Sequence, residues 1–320
     1  MITFDNVSKE YPDGTVAVDS LNFEIRQGEF FVLIGPSGCG KTTTLKMINR
    51  LIPLSDGTIF INGKKISEYN IHELRWNIGY VLQQIALFPH MTIEENITVV
   101  PEMKNWNREK MKQRVHELLE MVGLDPETYA VRKPKELSGG QQQRVGVIRA
   151  LAADPEMILM DEPFSALDPI SREKLQDDLL RLKKNLKKTT VFVTHDMQEA
   201  LKLADRICVM KDGKIVQIGT PDELTKNPAN EFVKEFLGDK LAWDGDFHVE
   251  EVLQPISEEG IYGSLSDVPI SIPLQELLEK LSEQEQLAVQ KNGRQIGIVN
   301  RQTVINYLSV QLQKRDMPNE

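Results

Sequence analysis

Four short stretches of this 320-residue chain hold side chains whose types and spacing could do chemistry on phosphate. In GPSGCGKTT, Gly35, Gly40, Lys41 and Thr42 fill the pattern GxxxxGK[ST]. Such a loop aims backbone amides at phosphate oxygens, its lysine reaches the β- and γ-phosphates, and its threonine hydroxyl takes Mg²⁺. Cys39 sits among these amides, where a thiolate could be stabilised, but it reads better as a small filler. The run EMILMDEP, Glu156 to Pro163, ends in two adjacent carboxylates, which are costly to bury without compensating charge. Mg²⁺ and a phosphate-bound water would make sense of them, with Asp161 holding the metal directly or through water and Glu162 orienting or deprotonating the attacking water. TTVFVTHD places His195 at the end of another apolar run, where it could meet a γ-phosphate; a lone histidine there would more often be structural, and the neighbouring motifs favour the functional reading. The fourth stretch, ELSGGQQQR, offers Ser138, Gly139 and Gly140 at a helix start, with no acid, base or metal ligand among them. A helix start exposes unpaired N–H groups and a partial positive charge, so an anion can approach side-chain-free backbone there. Taken alone, the stretch is better read as an N-capping serine before a flexible turn.

The elements that must position these groups are legible as alternating apolar runs and helical patterns. GEFFVLIG, Gly28 to Gly35, leads straight into the glycine loop and then a helical pattern. Strand, glycine loop, helix is the order of a phosphate-binding α/β unit. Arg108 to Leu124 has apolar residues at helical spacing with charges opposite, and Met103, Met111 and Met121 are expected to pack. Ala204 to Leu224 reads as two strands joined at Asp212 and Gly213, then a capped helix.

Composition bounds what these elements can serve. With 40% hydrophobic and 27% charged residues, the chain has room for one large domain and a smaller one. No apolar run approaches the roughly 18 residues that span a bilayer, and MITFDNVSKEY lacks a signal peptide's basic-then-apolar pattern, so the cytoplasm is expected. Cys39 and Cys208 lie far apart in unlike settings, which supports neither a disulfide framework nor a zinc site. A net charge of −10 argues against a general nucleic-acid surface.

Residues 1 to about 238 resemble the ATP-binding cassette (ABC) ATPases. GPSGCGKTT, Gln83 in GYVLQQIALFPHMT, LSGGQ, ILMDEP, SALD and His195 each occur once, in that family's order. The resemblance implies an α/β P-loop NTPase fold of ABC type, with a RecA-like core, an antiparallel β subdomain and a helical subdomain at about residues 84–140. It implies ATP and Mg²⁺ as cofactors. Tyr11 would stack on adenine; Gly35, Pro36, Ser37, Gly38, Cys39, Gly40, Lys41, Thr42 and Thr43 would wrap the phosphates; Thr42, Gln83 and Asp161 would serve the metal. Glu162 would be the base, with His195 and Gln83 beside it, and Asp168 would link sites across a dimer. In this family LSGGQ closes over ATP held by a second copy, so Ser138, Gly139, Gly140 and Gln141 would act in trans. The helical subdomain touches a membrane partner, which implies integral-membrane permease subunits, indirectly a substrate-binding protein, and a peripheral place on the cytoplasmic face of the cell membrane.

Closer wording, including NRLIPLSDG, GGQQQRVGVIRALAADP and FVTHDMQEALKLADRI, is similar to importers of quaternary amines such as glycine betaine, carnitine and choline. The solute would sit in an aromatic cage on a separate receptor, which leaves a related betaine such as ergothioneine open. The alternative is a non-transport regulatory ABC protein, a nucleotide-dependent dimerisation switch. Past Lys240 the balance turns to 13 acidic against 6 basic side chains in residues 241–320. After a linker at 239–247, residues 248–308 resemble a single small α/β cystathionine-β-synthase (CBS) motif, followed by a tail at 309–320. Where nucleotide-binding versions carry threonine and aspartate, this chain has Asn300 and Thr303, so a structural or dimerising role is expected at least as much as adenosine binding.

Overall fold

The computed structural model describes residues 1–165, 167–237, 249–255, 265–272, 274–291 and 294–307; the expected linker 239–247 and tail 309–320 lie outside them. The chain divides into two units, Met1–Phe236 and Leu237–Glu320.

The first unit holds two sheets. One is antiparallel, built from β1 (Ile2–Glu10), β2 (Val16–Ile25), β4 (Asp56–Ile61) and β5 (Lys64–Lys65) in the order β2-β1-β4-β5. Its strands alternate buried and exposed residues, the pattern of a sheet with one face on a core. The other contains β3 (Phe30–Ile34), β6 (Ile78–Val81), β7 (Met157–Asp161), β8 (Thr189–Thr194), β9 (Arg206–Lys211) and β10 (Lys214–Gly219), in the order β10-β9-β3-β8-β7-β6. All its pairings are parallel except the edge hairpin of β9 and β10, which turns at Asp212 and Gly213 with φ of 48° and 77°. Every residue of β3, β7 and β8 is buried, because both faces of a parallel sheet are covered. Phe4, Phe23 and Phe31 stack at 4.3 and 5.6 Å and join the two sheets into one core; such ring pairs contribute about 0.5–1.5 kcal/mol beyond area burial.

Helices α1 (Lys41–Ile48) and α2 (Ile71–Trp76) follow the glycine loop and the antiparallel sheet. Between β6 and β7 the chain is helical: α3 (Ile93–Met103), α4 (Arg108–Met121), α5 (Pro126–Tyr129) and α6 (Gly139–Leu151). Thr92 and Glu95 close a capping box on α3, while Val115, Leu118 and Leu119 form the buried stripe of α4. Met103 does not pack as the pattern predicts. It ends α3 at 54% exposure, since Lys104 stops the helix before the chain turns back. The unit continues through α7 (Pro169–Leu186), α8 (Met197–Leu203) and α9 (Pro221–Lys226), the last with a Thr220–Glu223 capping box.

The second unit holds a three-stranded sheet, β11 (Asp267–Pro269), β12 (Gln286–Lys291) and β13 (Arg294–Asn300), with β11 parallel and β13 antiparallel to β12. The helix Leu274–Glu283 sets Leu274, Leu277 and Leu281 into a core with Leu287, Val289, Val299 and Val304. Asn300 and Thr303 engage each other: the Thr303 N–H donates to Asn300 Oδ1 at 2.9 Å, and the Asn300 N–H donates to Thr303 Oγ1 at 3.3 Å. Among the described residues, no helix in either unit is long and apolar enough to cross a membrane.

Candidate functional site

Parallel strands carry their C-terminal ends to one edge of a sheet, and here the register aligns Ile34 with Thr194 and Asp161 with Val193. The glycine loop, the paired carboxylates and His195 therefore emerge side by side. Two glycines of the loop are sterically compelled. A β-carbon on Gly35 would lie 2.2 Å from the Met210 carbonyl oxygen, and one on Gly40, at φ 98°, 2.4 Å from that of Ala17. Pro36, Ser37 and Gly38 form the exposed tip, whereas Cys39 is buried and burial pushes its thiol up, away from a thiolate.

Lys41 is buried, and its Nζ donates to the carbonyls of Gly35 at 2.7 Å and Pro36 at 2.9 Å. Thr42 Oγ1 donates to Asp161 Oδ1 at 2.7 Å across 119 residues of sequence. Thr43 follows on the same helix, half-buried. Asp161 is 4% exposed; burial raises its pKa, a rise opposed by the Thr42 hydroxyl and Lys46 and reinforced by Glu162. A buried carboxylate held this way gains from a cation, and the hydroxyl and carboxylate oxygens are the hard donors that Mg²⁺ takes.

Glu162 lies just beyond β7 at φ 44°, a left-handed backbone uncommon for a residue with a β-carbon. Its N–H donates to the Val193 carbonyl at 3.0 Å, and its own carbonyl accepts from Ser165 N and Oγ at 3.2 and 3.0 Å. That backbone turns the carboxylate toward two partners at one atom. Oε2 accepts from Gln83 Nε2 at 3.3 Å and lies 3.1 Å from His195 Nδ1. The three residues proposed for the hydrolytic step thus converge from separations of 79 and 33 residues.

Tyr11 opens the β1–β2 connection, its N–H donating to Thr15 O at 2.9 Å and its ring 5.1 Å from Lys9 Nζ. Asp168 caps α7, its Oδ1 accepting from Ser171 N at 3.0 Å. Ser138 caps α6 in a reciprocal exchange: its Oγ accepts from Gln141 N at 3.3 Å while its N–H donates to Gln141 Oε1 at 2.9 Å. A β-carbon on Gly140 would press on Ser171 Oγ at 2.9 Å, but one on Gly139 would meet nothing within 4 Å. Among the described residues, no hydrogen bond joins Ser138–Gln141 to Lys41, Thr42 or Glu162.

Sequence reasoning missed two buried polar side chains that support this edge. Glu199 on α8 accepts from Thr194 Oγ1 at 2.5 Å, the residue before His195, and burial pushes its carboxyl up. Gln143 on α6 donates from Nε2 to the Pro163 carbonyl at 2.6 Å. Gln143 shares a helical face with Val147 and Leu151, and a polar residue within an apolar stripe was the available signal.

A mostly parallel sheet with a phosphate-type glycine loop on one strand and a metal-type carboxylate on another defines a nucleotide-hydrolysing cassette. Residues 18–165 match the family described as ABC transporter. The chain belongs to the ATP-binding proteins of that family and is an ABC ATPase. It is 51% identical to the glycine betaine/carnitine/choline transport ATP-binding protein OpuCA of Bacillus subtilis, over 98% of this chain and 79% of that protein. It is equally identical, with the same coverage, to the choline transport ATP-binding protein OpuBA of that organism. Among solved structures it is similar to a dimeric ATP-binding cassette in a post-hydrolysis state bound to ADP and Pi, at 37% identity and a TM-score of 0.62 over 69% of this chain and 99% of that one.

Proposed function

We propose that the chain is the ATP-hydrolysing subunit that energises import of a quaternary ammonium or betaine-type osmoprotectant through separate integral-membrane permease subunits, with solute delivered by a substrate-binding protein. The observation that carries this reading is the 51% identity, over 98% of the chain, to proteins named for glycine betaine, carnitine and choline transport. The subunit would dock peripherally on the cytoplasmic face of the membrane and work with a second copy of itself.

In this reading Lys41 exchanges two neutral carbonyls for the β- and γ-phosphates, a stronger charge-assisted pairing. Thr42 and Asp161, with Gln83, would hold Mg²⁺, which when bound neutralises charge on the phosphates. Glu162 takes a proton from the attacking water, and Gln83 and His195 fix its carboxylate oxygen. Tyr11 stacks on adenine. Ser138 completes the second copy's site: its hydroxyl accepts from Gln141 but keeps its own proton to donate, and Gly139 leaves the approach open. Hydrolysis removes the γ-phosphate contact that favoured closure, and Asp168 lies where the two sites communicate.

Reconstituting the full chain with its permease and receptor in vesicles, then adding glycine betaine, carnitine, choline or ergothioneine in turn, tests the reading. One of these solutes should raise ATP hydrolysis severalfold and accumulate inside. Hydrolysis indifferent to every solute and to the permease would instead favour a nucleotide-dependent dimerisation switch.

A further inference from the structure

Gln143 is buried at 2% exposure in α6, five residues after Ser138. Its Nε2 donates a 2.6 Å hydrogen bond to the carbonyl of Pro163. That carbonyl can only accept, so chemistry sets which way the amide faces. Its Oε1 has no hydrogen-bond partner among the described residues. A buried amide with one half unpaired is a poor way to fill space, since leucine or methionine would pack there without an orphan acceptor. Something other than packing therefore accounts for glutamine at this position.

The bond lands one residue beyond Glu162, at the turn where φ reaches 44°. A left-handed residue with a β-carbon persists only where its surroundings over-determine it. Val193 holds the Glu162 N–H at 3.0 Å, and Ser165 holds the Glu162 carbonyl at 3.2 and 3.0 Å. Gln143 holds the next peptide, and it belongs to the helix that Ser138 caps.

We infer that Gln143 is a positioning residue for Glu162. It clamps the 162–163 turn in the conformation that aims the carboxylate at Gln83 and His195. The same bond hangs this chain's own hydrolytic loop on the helix whose first turn serves the other copy's ATP. That second consequence rests on the reading that Ser138 acts in trans; the first does not.

In the full-length chain, Gln143→Leu should lower kcat for ATP about tenfold, while nucleotide affinity, read with a fluorescent ATP analogue, stays within about twofold. Melting temperature should hold nearly steady, because losing the bond to Pro163 is offset by removing the orphan Oε1. Gln143→Met, unbranched and similar in length, carries the same test should the leucine variant fold poorly. Wild-type kcat in both variants, or a loss confined to KM, overturns the assignment.

Mixed dimers then locate the effect. When one protomer carries Ser138→Arg, the only complete site holds that protomer's own Glu162 and the other's Ser138. Gln143→Leu added to the Ser138→Arg protomer should lower turnover of the mixed dimer; added to the other protomer it should not. The reverse pattern would mean that Gln143 acts by shaping the helix start, and would overturn its role at Glu162. A mixed dimer already inactive with Ser138→Arg alone means that the two sites do not turn over independently, and the homodimer kcat then decides on Gln143.

Discussion

The edge formed by the ends of β3, β7 and β8 and the start of α6 make an instructive pair, for both present groups suited to phosphate and only one is assembled within the chain. At the strand edge Thr42 meets Asp161 at 2.7 Å, and Gln83 and His195 meet at Glu162 Oε2. At the helix start Ser138 and Gln141 cap each other, Gln141 Nε2 also donates to the Tyr129 hydroxyl at 2.9 Å, and Gly139 faces open space. The strand edge needs long-range pairing to exist, because its members come from distant segments. The helix start needs only local capping. A capped helix is complete as structure, so its role in chemistry has to come from something brought to it.

The sharpest way to break this comparison is at the strand edge. Glu162→Gln removes the carboxylate proposed to accept the water's proton but keeps the shape, so turnover should fall about 10³-fold while ATP binding survives. With ATP this variant should accumulate as a closed dimer on size exclusion. Adding Ser138→Arg should return it to monomer without changing ATP affinity, which would set the two regions apart directly. Near-normal turnover in Glu162→Gln would remove that residue from the base role.

Lys41→Ala should act on binding instead. Losing the proposed charge-assisted contact with two phosphates should weaken ATP about 100-fold by titration calorimetry. If the alanine variant bound ATP normally and lost only kcat, the division between Lys41 and Glu162 would be wrong. Gln83→Ala should have a smaller effect, about a tenfold drop in solute-stimulated hydrolysis in the full complex, with affinity within about twofold. Unchanged stimulation would show that Gln83 is not needed to hold the Glu162 carboxylate for hydrolysis.

The smallest expected effect concerns Asp161 and has the opposite sign for stability. Burial raises its folded pKa above the unfolded value, so the folded chain binds more protons and this group's contribution is lost as pH rises from about 3.8 through the folded pKa. At neutral pH Asp161→Asn, whose Oδ1 still accepts from Thr42, should raise the nucleotide-free melting temperature by about 2–4 °C, the effect of roughly 1 kcal/mol in a domain of this size. If Asp161 holds Mg²⁺ as proposed, the substitution should also erase any further stabilisation from adding ATP with Mg²⁺. A lowered melting temperature would show that the charged form of Asp161 is already compensated within the chain.

Much of the architecture was readable because it follows from local rules. The largely apolar runs at β3, β7 and β8 are strands buried on both faces, and Ser138 does cap a helix. Asp212 and Gly213 do turn the edge hairpin. Met103 was misread, since helical spacing cannot say where a helix ends relative to its neighbours. Gln143 and Glu199 were passed over because a polar letter in an apolar stripe carries no information about its partner until that partner is placed.

By itself, then, the sequence determined the elements, the loop chemistry and the membership in the ABC family, since hydrophobic period, capping and motif spacing are properties of neighbouring residues. Only the tertiary structure decided that Gln83, Glu162 and His195 share one carboxylate oxygen and that Thr42 bonds Asp161. It alone also put Glu162 at φ 44° with Gln143 bracing the turn. Those facts depend on the strand order β9-β3-β8-β7-β6, which is not the order of the chain. Strand order is set by which buried faces pack across long sequence separations, a competition that no local window of residues contains.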